Sequence, residues 1–365
     1  MIKHLILTLG AACATLSACT AWILAPNANE TGAYVLHKTR DWGKGDGGVP
    51  VTLEALRPND SKYRLLAFSP YMLFNEKGLG MVDTSAPSTT DNTPDLDMFN
   101  IGTTMARVAF NCATVQEALA MLEEFIKEAP YPKNDNYLLC DTKEAVIIEL
   151  APKHIAYRKV TDGFAVHTNH FIYPEILFIS KGKLESNIKS ATRLLITQGK
   201  LAAHLQEQGV INLADSLALS RFQDKENYPD VCPFRNTSVC AADYIPDREF
   251  PGILGTIRVC PGPPRYAPAI PVSLGTAKVP ETLRNGEFGK LAFRLKFAFL
   301  DREDHLPQLE QLEQRFWKEY LAAHAKAKEL LKANEPDASS ALLQNLLDSQ
   351  VQEAFALIQS LLQAE

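Results

Sequence analysis

A cysteine at position 19 follows Leu16-Ser17-Ala18, the small-residue pattern at which a secretory leader is removed. Cleavage there would make Cys19 a terminal residue carrying a thiol and an α-amine together. With ordinary pKa values of ~8 for the amine and ~8.5 for the thiol, the amine can accept the thiol proton, directly or through one water, as sulfur attacks a carbonyl. The nucleophile then carries its own base. It still needs a cation to favour the thiolate, a carboxylate to orient the amine, and donors for a tetrahedral oxyanion. Lys38 and Asp41 have the first two chemistries, and the sequence predicts a hairpin whose second strand returns them to the start of the first.

The leader itself reads as a short segment with Lys3 followed by the apolar stretch Leu5–Leu16, too short to span a bilayer. Export to the periplasm or the medium is expected. Leu16-Ser-Ala-Cys19 is also a lipobox, which would place a diacylglycerol on the Cys19 sulfur and make the chain a membrane-anchored lipoprotein whose body binds a ligand without catalysis. The two outcomes exclude each other, because lipidation consumes the nucleophile. No later run reaches the ~18 to 20 apolar residues of a spanning helix.

The elements that must position these residues begin with a strand over Thr20–Ala25, a turn over Pro26–Gly32 and a partner strand over Ala33–Lys38, closed by Arg40-Asp41-Trp42. Gly43–Gly48 is a glycine-rich loop without the Walker spacing, hence no phosphate cradle. Thr114-Val-Gln-Glu117 is a capping box opening a helix with Leu119, Leu122, Phe125 and Ile126 on one face and Pro130 beyond its end. Tyr137–Cys140 and Ala145–Leu150 form a second hairpin, with His154–Val160 and Phe164–Thr168 as further strands, so antiparallel pairing dominates. Helical spacing returns over residues 185–208, and Gly252–Cys260 reads as a strand. After Asp301 two helical stripes follow, Leu309, Leu312, Phe316, Tyr320, Ala323 and then Leu343, Leu346, Leu347, Phe355, Ile358, Leu362, separated by a break at Asn334–Ser340. The chain therefore divides into residues 1–18 as leader, 19–300 as main domain and 301–365 as a helical extension packing on that domain or on a partner subunit.

Cys19-Thr20 followed by His-Lys-Thr-Arg-Asp-Trp at 37–42 resembles the opening of the N-terminal nucleophile (Ntn) amidases: choloylglycine hydrolases, penicillin V acylases, the acyl-coenzyme A:6-aminopenicillanate acyltransferases and related cysteine dipeptidases. Asn75-Glu-Lys-Gly-Leu79, the Tyr137–Leu150 hairpin with Ile148-Glu149-Leu150, Thr168-Asn-His-Phe171 and Ser190-x-x-Arg193 resemble the same superfamily in order, over Cys19 to about residue 265. The resemblance implies an α+β fold, an αββα four-layer sandwich, and cleavage or acyl transfer at a linear amide, N-acyl amide or dipeptide, through a Cys19 thioester. It implies no metal or organic cofactor. It implies Cys19 as nucleophile, Asp41 as the carboxylate that positions the terminal amine, and Asn169 as an oxyanion donor. Lys38 stands where the family has an arginine, keeping the charge and losing the bidentate fork, with Arg40 as an alternative guanidinium. Arg235 in Cys232-Pro-Phe-Arg matches a late family arginine. Where choloylglycine hydrolases place a second oxyanion asparagine, this chain has Asp83-Thr84-Ser85, so a Ser85 hydroxyl or a backbone N–H must serve, and bile-salt specificity is not implied.

Composition bounds the rest. The 365 residues carry a formal charge of −6, with no broad basic surface for nucleic acid. The expected partner is a small amide, with a homo-oligomer as a further expectation. Seven cysteines are too few for a disulfide scaffold; Cys232 and Cys240 are the nearest neighbours for one bridge among Cys112, Cys140, Cys232, Cys240 and Cys260. His167 and His170 lack the spacing of a zinc site, and His170 is expected to support the Asn169 loop.

Overall fold

In the computed structural model, which describes residues 19–41, 51–69, 71–90, 101–128, 131–222, 238–299, 302 and 305–364, the chain enters β1 (Thr20–Leu24) directly after Cys19 and returns along β2 (Val35–Asp41). The connecting turn is held by Asn29, whose amide donates to the carbonyls of Ala25 and Ala33 at 2.7 and 2.8 Å while its oxygen accepts from Thr31 N. Ala21 faces Lys38 and Thr20 faces Thr39 across the pair, which brings the end of β2 beside Cys19.

A meander follows: β3 (Leu53–Leu56), β4 (Leu65–Phe68), β5 (Met72–Asn75) and β6 (Gly80–Ser85). The β5–β6 turn requires Gly78, which has φ +91° and whose missing Cβ would lie 2.8 Å from Pro251. After helices α1 (Ile101–Asn111) and α2 (Val115–Phe125) the chain makes β7 (Asp135–Cys140), β8 (Ala145–Ala151), β9 (His154–Lys159) and β10 (Phe164–His167). The capping box at α2 is formed: Thr114 accepts from Glu117 N, and Glu117 reaches back to Ala113 N. Helices α3 (Leu184–Gln208) and α4 (Leu213–Leu219) lead to β11 (Ser238–Ile245), β12 (Thr256–Cys260) and β13 (Ile270–Ser273). The strand expected over Gly252–Cys260 starts only at Thr256, because Pro251 sits in the first turn of a short helix, Pro251–Leu254, where its lacking N–H is tolerated. Helices α5 (Glu287–Phe299), α6 (Leu306–Lys332) and α7 (Pro336–Gln363) complete the described chain.

Pairing is antiparallel throughout two sheets, a six-stranded one ordered β10-β1-β2-β11-β12-β13 and a seven-stranded one running from β3 to β9 in sequence order. Ala21, Ile23, Leu36 and Ala242 of the first meet Phe74, Val82, Leu138 and Ile147 of the second in one core. Alternate residues point the other way. Trp22, Leu24 and Val35 pack under Leu194, Leu201 and Leu213 of α3 and α4, while Met81, Tyr137 and Leu139 pack under Met105, Val108 and Leu119 of α1 and α2. The layers are therefore helix, sheet, sheet, helix: the αββα sandwich.

The late helical stripes are not left open. Leu309, Leu312 and Phe316 of α6 and Leu347, Val351 and Ile358 of α7 join the core between the sheets, each burial contributing about 1.5 to 3 kcal/mol. The break between these helices shrinks to residues 333–335, since Pro336 occupies the first turn of α7 instead of lying in a loop. Cys240 is a free buried thiol, and Cys232, like residues 1–18 and the Gly43–Gly48 loop, lies outside the described residues.

Candidate active site

Strand alternation splits the charged end of β2 into two directions. Lys38 follows Leu36 on the face turned to the other sheet; Asp41 follows His37 and Thr39 on the face under α3. Cys19, just before β1, lies at the end of the sheet between them. It is buried, as are Lys38, Arg40 and Asp41.

On the inter-sheet side Lys38 forms an ion pair with Asp83, both side chains being almost completely buried. Burial pulls the ammonium pKa down, but Asp83 and the nearby Cys19 outweigh that and leave it raised. Asp135 lies next to this pair on the strand beside Asp83. Burial, then the Asp83 charge, pushes its carboxyl well above the ordinary value, although Lys38 opposes the shift. Its side chain hydrogen-bonds with Tyr137. Arg40 donates to the Ser69 hydroxyl, and its guanidinium lies over the Tyr71 ring at 4.5 Å, with the Lys38 ammonium 5.3 Å from the same ring.

On the helix side the guanidinium that answers Asp41 comes from Arg193 of α3. Burial lowers the Arg193 pKa from its ordinary value, opposed by Asp41 and by Cys19. Arg193 also donates to Asn169 Oδ1 at 2.7 Å, which fixes the amide so that Nδ2 donates to the Ser85 carbonyl at 3.0 Å. The two residues expected at the oxyanion position, Asn169 and Ser85, are thus neighbours in space. Sequence reading placed Arg193 only inside the Ser190-x-x-Arg193 segment and gave it no role; its closeness to Asp41 is the signal, and that exists only in the fold.

The loop bearing Asn169 is held from three sides. The Thr168 carbonyl accepts from Thr84 Oγ1 at 2.9 Å and from Asn136 Nδ2 at 3.1 Å. Glu149 accepts from Tyr173 N and contacts His167 Nε2 at 3.0 Å. His170 Nδ1 lies 2.8 Å from Ser190 Oγ, so it supports the loop as expected; burial, with His167 and Arg193 nearby, lowers its pKa to about 4. Asn75, by contrast, serves the fold: its amide donates to the Ala109 and Cys112 carbonyls and its oxygen accepts from Lys77 N. Arg235 lies outside the described residues.

Among the described residues no group of three or more His, Cys, Asp or Glu is arranged to hold a metal, and no helix is long and apolar enough to cross a membrane. A cavity of about 470 Å³ lies at the far end of the β1–β2 hairpin, against Gly32 and α6 residues Trp317 and His324, away from Cys19.

Residues 72–235 match the family model of acyl-coenzyme A:6-aminopenicillanic acid acyl-transferase, a span that contains Asp83, Asn169 and Arg193 but begins after Cys19 and Asp41. No curated protein matches the chain. Among solved structures it is similar to penicillin V acylase from Agrobacterium tumefaciens, with 14% identity, TM-score 0.41 and coverage of 70% of this chain and 86% of that one. It is also similar to a variant of conjugated bile acid hydrolase from Clostridium perfringens, with 11% identity, TM-score 0.44 and coverage of 72% and 91%, and to a thermostable penicillin G acylase from Alcaligenes faecalis, with 10% identity, TM-score 0.38 and coverage of 55% and 52%. The family match spans less than half of the chain; together with the αββα sandwich it makes the chain similar to the Ntn hydrolase superfamily.

Proposed function

We propose that the chain is exported, is trimmed to Cys19, and hydrolyses a linear amide through a thioester on that residue. The observation that supports this best is the convergence on Cys19 of Asp41 and Arg193 from one side and of the Lys38–Asp83 pair from the other. In this reading Cys19 sulfur attacks the amide carbonyl while its proton passes to the α-amine, held by Asp41. The oxyanion that forms accepts hydrogen bonds from the Asn169 amide and from Ser85 or a backbone N–H beside it. Collapse breaks the C–N bond, the leaving amine takes the proton from the α-ammonium, and water, activated by the same amine, releases the acyl group as acid. An amine in place of water makes the reaction a transfer.

Arg193 orients Asn169, Lys38 keeps positive charge at the thiol, and Arg40 lies over the Tyr71 ring beside it. No cofactor enters any step. Mass spectrometry of the purified protein tests the first requirement: the expected mature terminus is an unmodified Cys19. A diacylglycerol there would sink the enzyme reading in favour of a lipoprotein. A panel of N-acyl amides and dipeptides, assayed with the processed protein, then separates acylase from dipeptidase.

A further inference from the structure

The two elements that carry Asn169 and Arg193 on their buried sides carry an unusual surface on their exposed sides. Leu177, Phe178, Leu184 and Ile188 are 48%, 72%, 76% and 55% exposed, within twelve residues of chain, and Ile172 lies just before them. Large apolar side chains standing clear of a surface signal a contact not present in the isolated chain. Around them stand Lys181, Lys183 and Lys189, all exposed, and the Phe178 ring packs edge-on to His154 at 6.1 Å, which brings in Lys153 and Arg158 from the neighbouring β8–β9 turn and β9. Only Glu175 and Glu185 interrupt this set among the described residues, the first paired with Arg158 and the second with Lys189. On a chain whose formal charge is −6, this is a positive island with apolar tips.

We propose that this surface docks on an anionic lipid bilayer. The apolar tips enter the headgroup boundary, and the lysines lay their stems along it with the ammonium groups at the phosphates. Each lysine near an anionic leaflet adds to the attraction. A second copy of the chain fits less well, because a two-fold interface would set this positive island against its own image. Docked in this way, the protein presents the Asn169 loop and the start of α3 to the membrane, so an amide substrate would arrive from the bilayer. The docking itself does not depend on the catalytic reading, and a failure of either leaves the other standing.

Vesicle co-sedimentation tests it, comparing wild type, the variant Phe178→Ser/Leu184→Ser/Ile188→Ser and the variant Lys181→Glu/Lys183→Glu in the same processed form, so that any other anchor is common to all three. Wild type is expected to sediment with phosphatidylcholine vesicles containing about 30% phosphatidylglycerol, to bind pure phosphatidylcholine about tenfold less, and to detach in high salt; both variants should lose about tenfold on the anionic vesicles. Equal binding by wild type and both variants overturns the proposal. So does equal binding to the two lipid compositions. Light scattering adds a third arm: a dimeric wild type made monomeric by the serine variant would assign the patch to a second copy and overturn it as well.

Discussion

Strand β2 passes through two buried polar clusters that look alike as lists of residues and differ as places. At its middle, His37 Nδ1 lies 2.7 Å from Asp243 Oδ1 and His37 Nε2 lies 2.7 Å from Ser220 Oγ, the order of contacts found in a serine hydrolase triad. At its end, Asp41 and Arg193 gather at Cys19. The first cluster is closed on every side: Trp22 stacks on His37 at 3.7 Å and itself donates to Ser216, Arg258 is paired with Asp243, and His37, Ser220 and Asp243 have no exposure. A carbonyl cannot reach Ser220 there. Burial lowers the His37 pKa even though Asp243 opposes the shift. The second cluster is buried as well, but it sits where a chain end is expected, which would supply a base. Triad geometry alone therefore ties a sheet to its helices; chemistry needs a terminus or a cleft as well.

Substitutions that break this contrast are the sharpest tests. Cys19→Ala should remove turnover by about a thousandfold or more, as loss of a nucleophile does, while the melting temperature stays close to wild type; measurable hydrolysis by the variant would return the nucleophile to some other group, Ser220 included. Asp243→Ala should do the reverse. It strands Arg258 and His37 in the interior at a cost of about 3 to 5 kcal/mol by denaturant unfolding. Ser220→Ala, losing the contacts of its hydroxyl with His37 and Thr39, costs about 1 to 3 kcal/mol, and activity per folded molecule is unchanged. If Ser220→Ala instead abolished turnover in a fully folded protein, the two clusters would have been assigned the wrong way round. Asn169→Ala comes next, with kcat expected to fall about 100- to 1000-fold for the loss of an oxyanion donor.

How much of this the sequence showed depends on where each residue's partner lies. The β1–β2 hairpin is legible because its strands are neighbours joined by a turn rich in Asn, Pro and Gly, and the α2 start is legible because a capping box is local. Strand β11, Ser238-Val-Cys-Ala-Ala-Asp-Tyr-Ile245, is not: it lies between β2 and β12 at the centre of its sheet, and residues on both of its faces are buried, so no alternation marks it. The site divides in the same way. Cys19, Lys38 and Asp41 are read from one short stretch, whereas Arg193 acquires its role from a carboxylate on β2. Lys38 in place of an arginine and Asp83 near an expected asparagine read as two separate departures from the family pattern; in the fold they are the two halves of one buried ion pair. A compensation of that kind spans two sheets and leaves no trace in spacing.

The smallest expected effect is in pH, and it separates the clusters again. His37 and His170 both titrate below the ordinary histidine value in the folded chain, His37 through burial against the pull of Asp243, His170 to about 4 through burial and then the charges of His167 and Arg193. Unfolding returns each to about 6.5, so between the folded and unfolded values the unfolded chain binds more protons. Stability is then full above about 6.5 and declines as the pH falls towards 4. Carboxylates contribute to the same decline, so the measurement is a difference: urea unfolding of wild type and of His170→Gln at several pH values. The variant should lose less stability on acidification than wild type, because it has no ring to protonate in the unfolded state. A constant gap between the two curves from neutral to acid pH would show that His170 titrates normally. The same variant should also change the acid limb of the activity profile, since a proton on His170 places positive charge beside Arg193 and Asn169. His37→Gln, in the closed cluster, should flatten the stability curve and leave the acid limb of activity where it was.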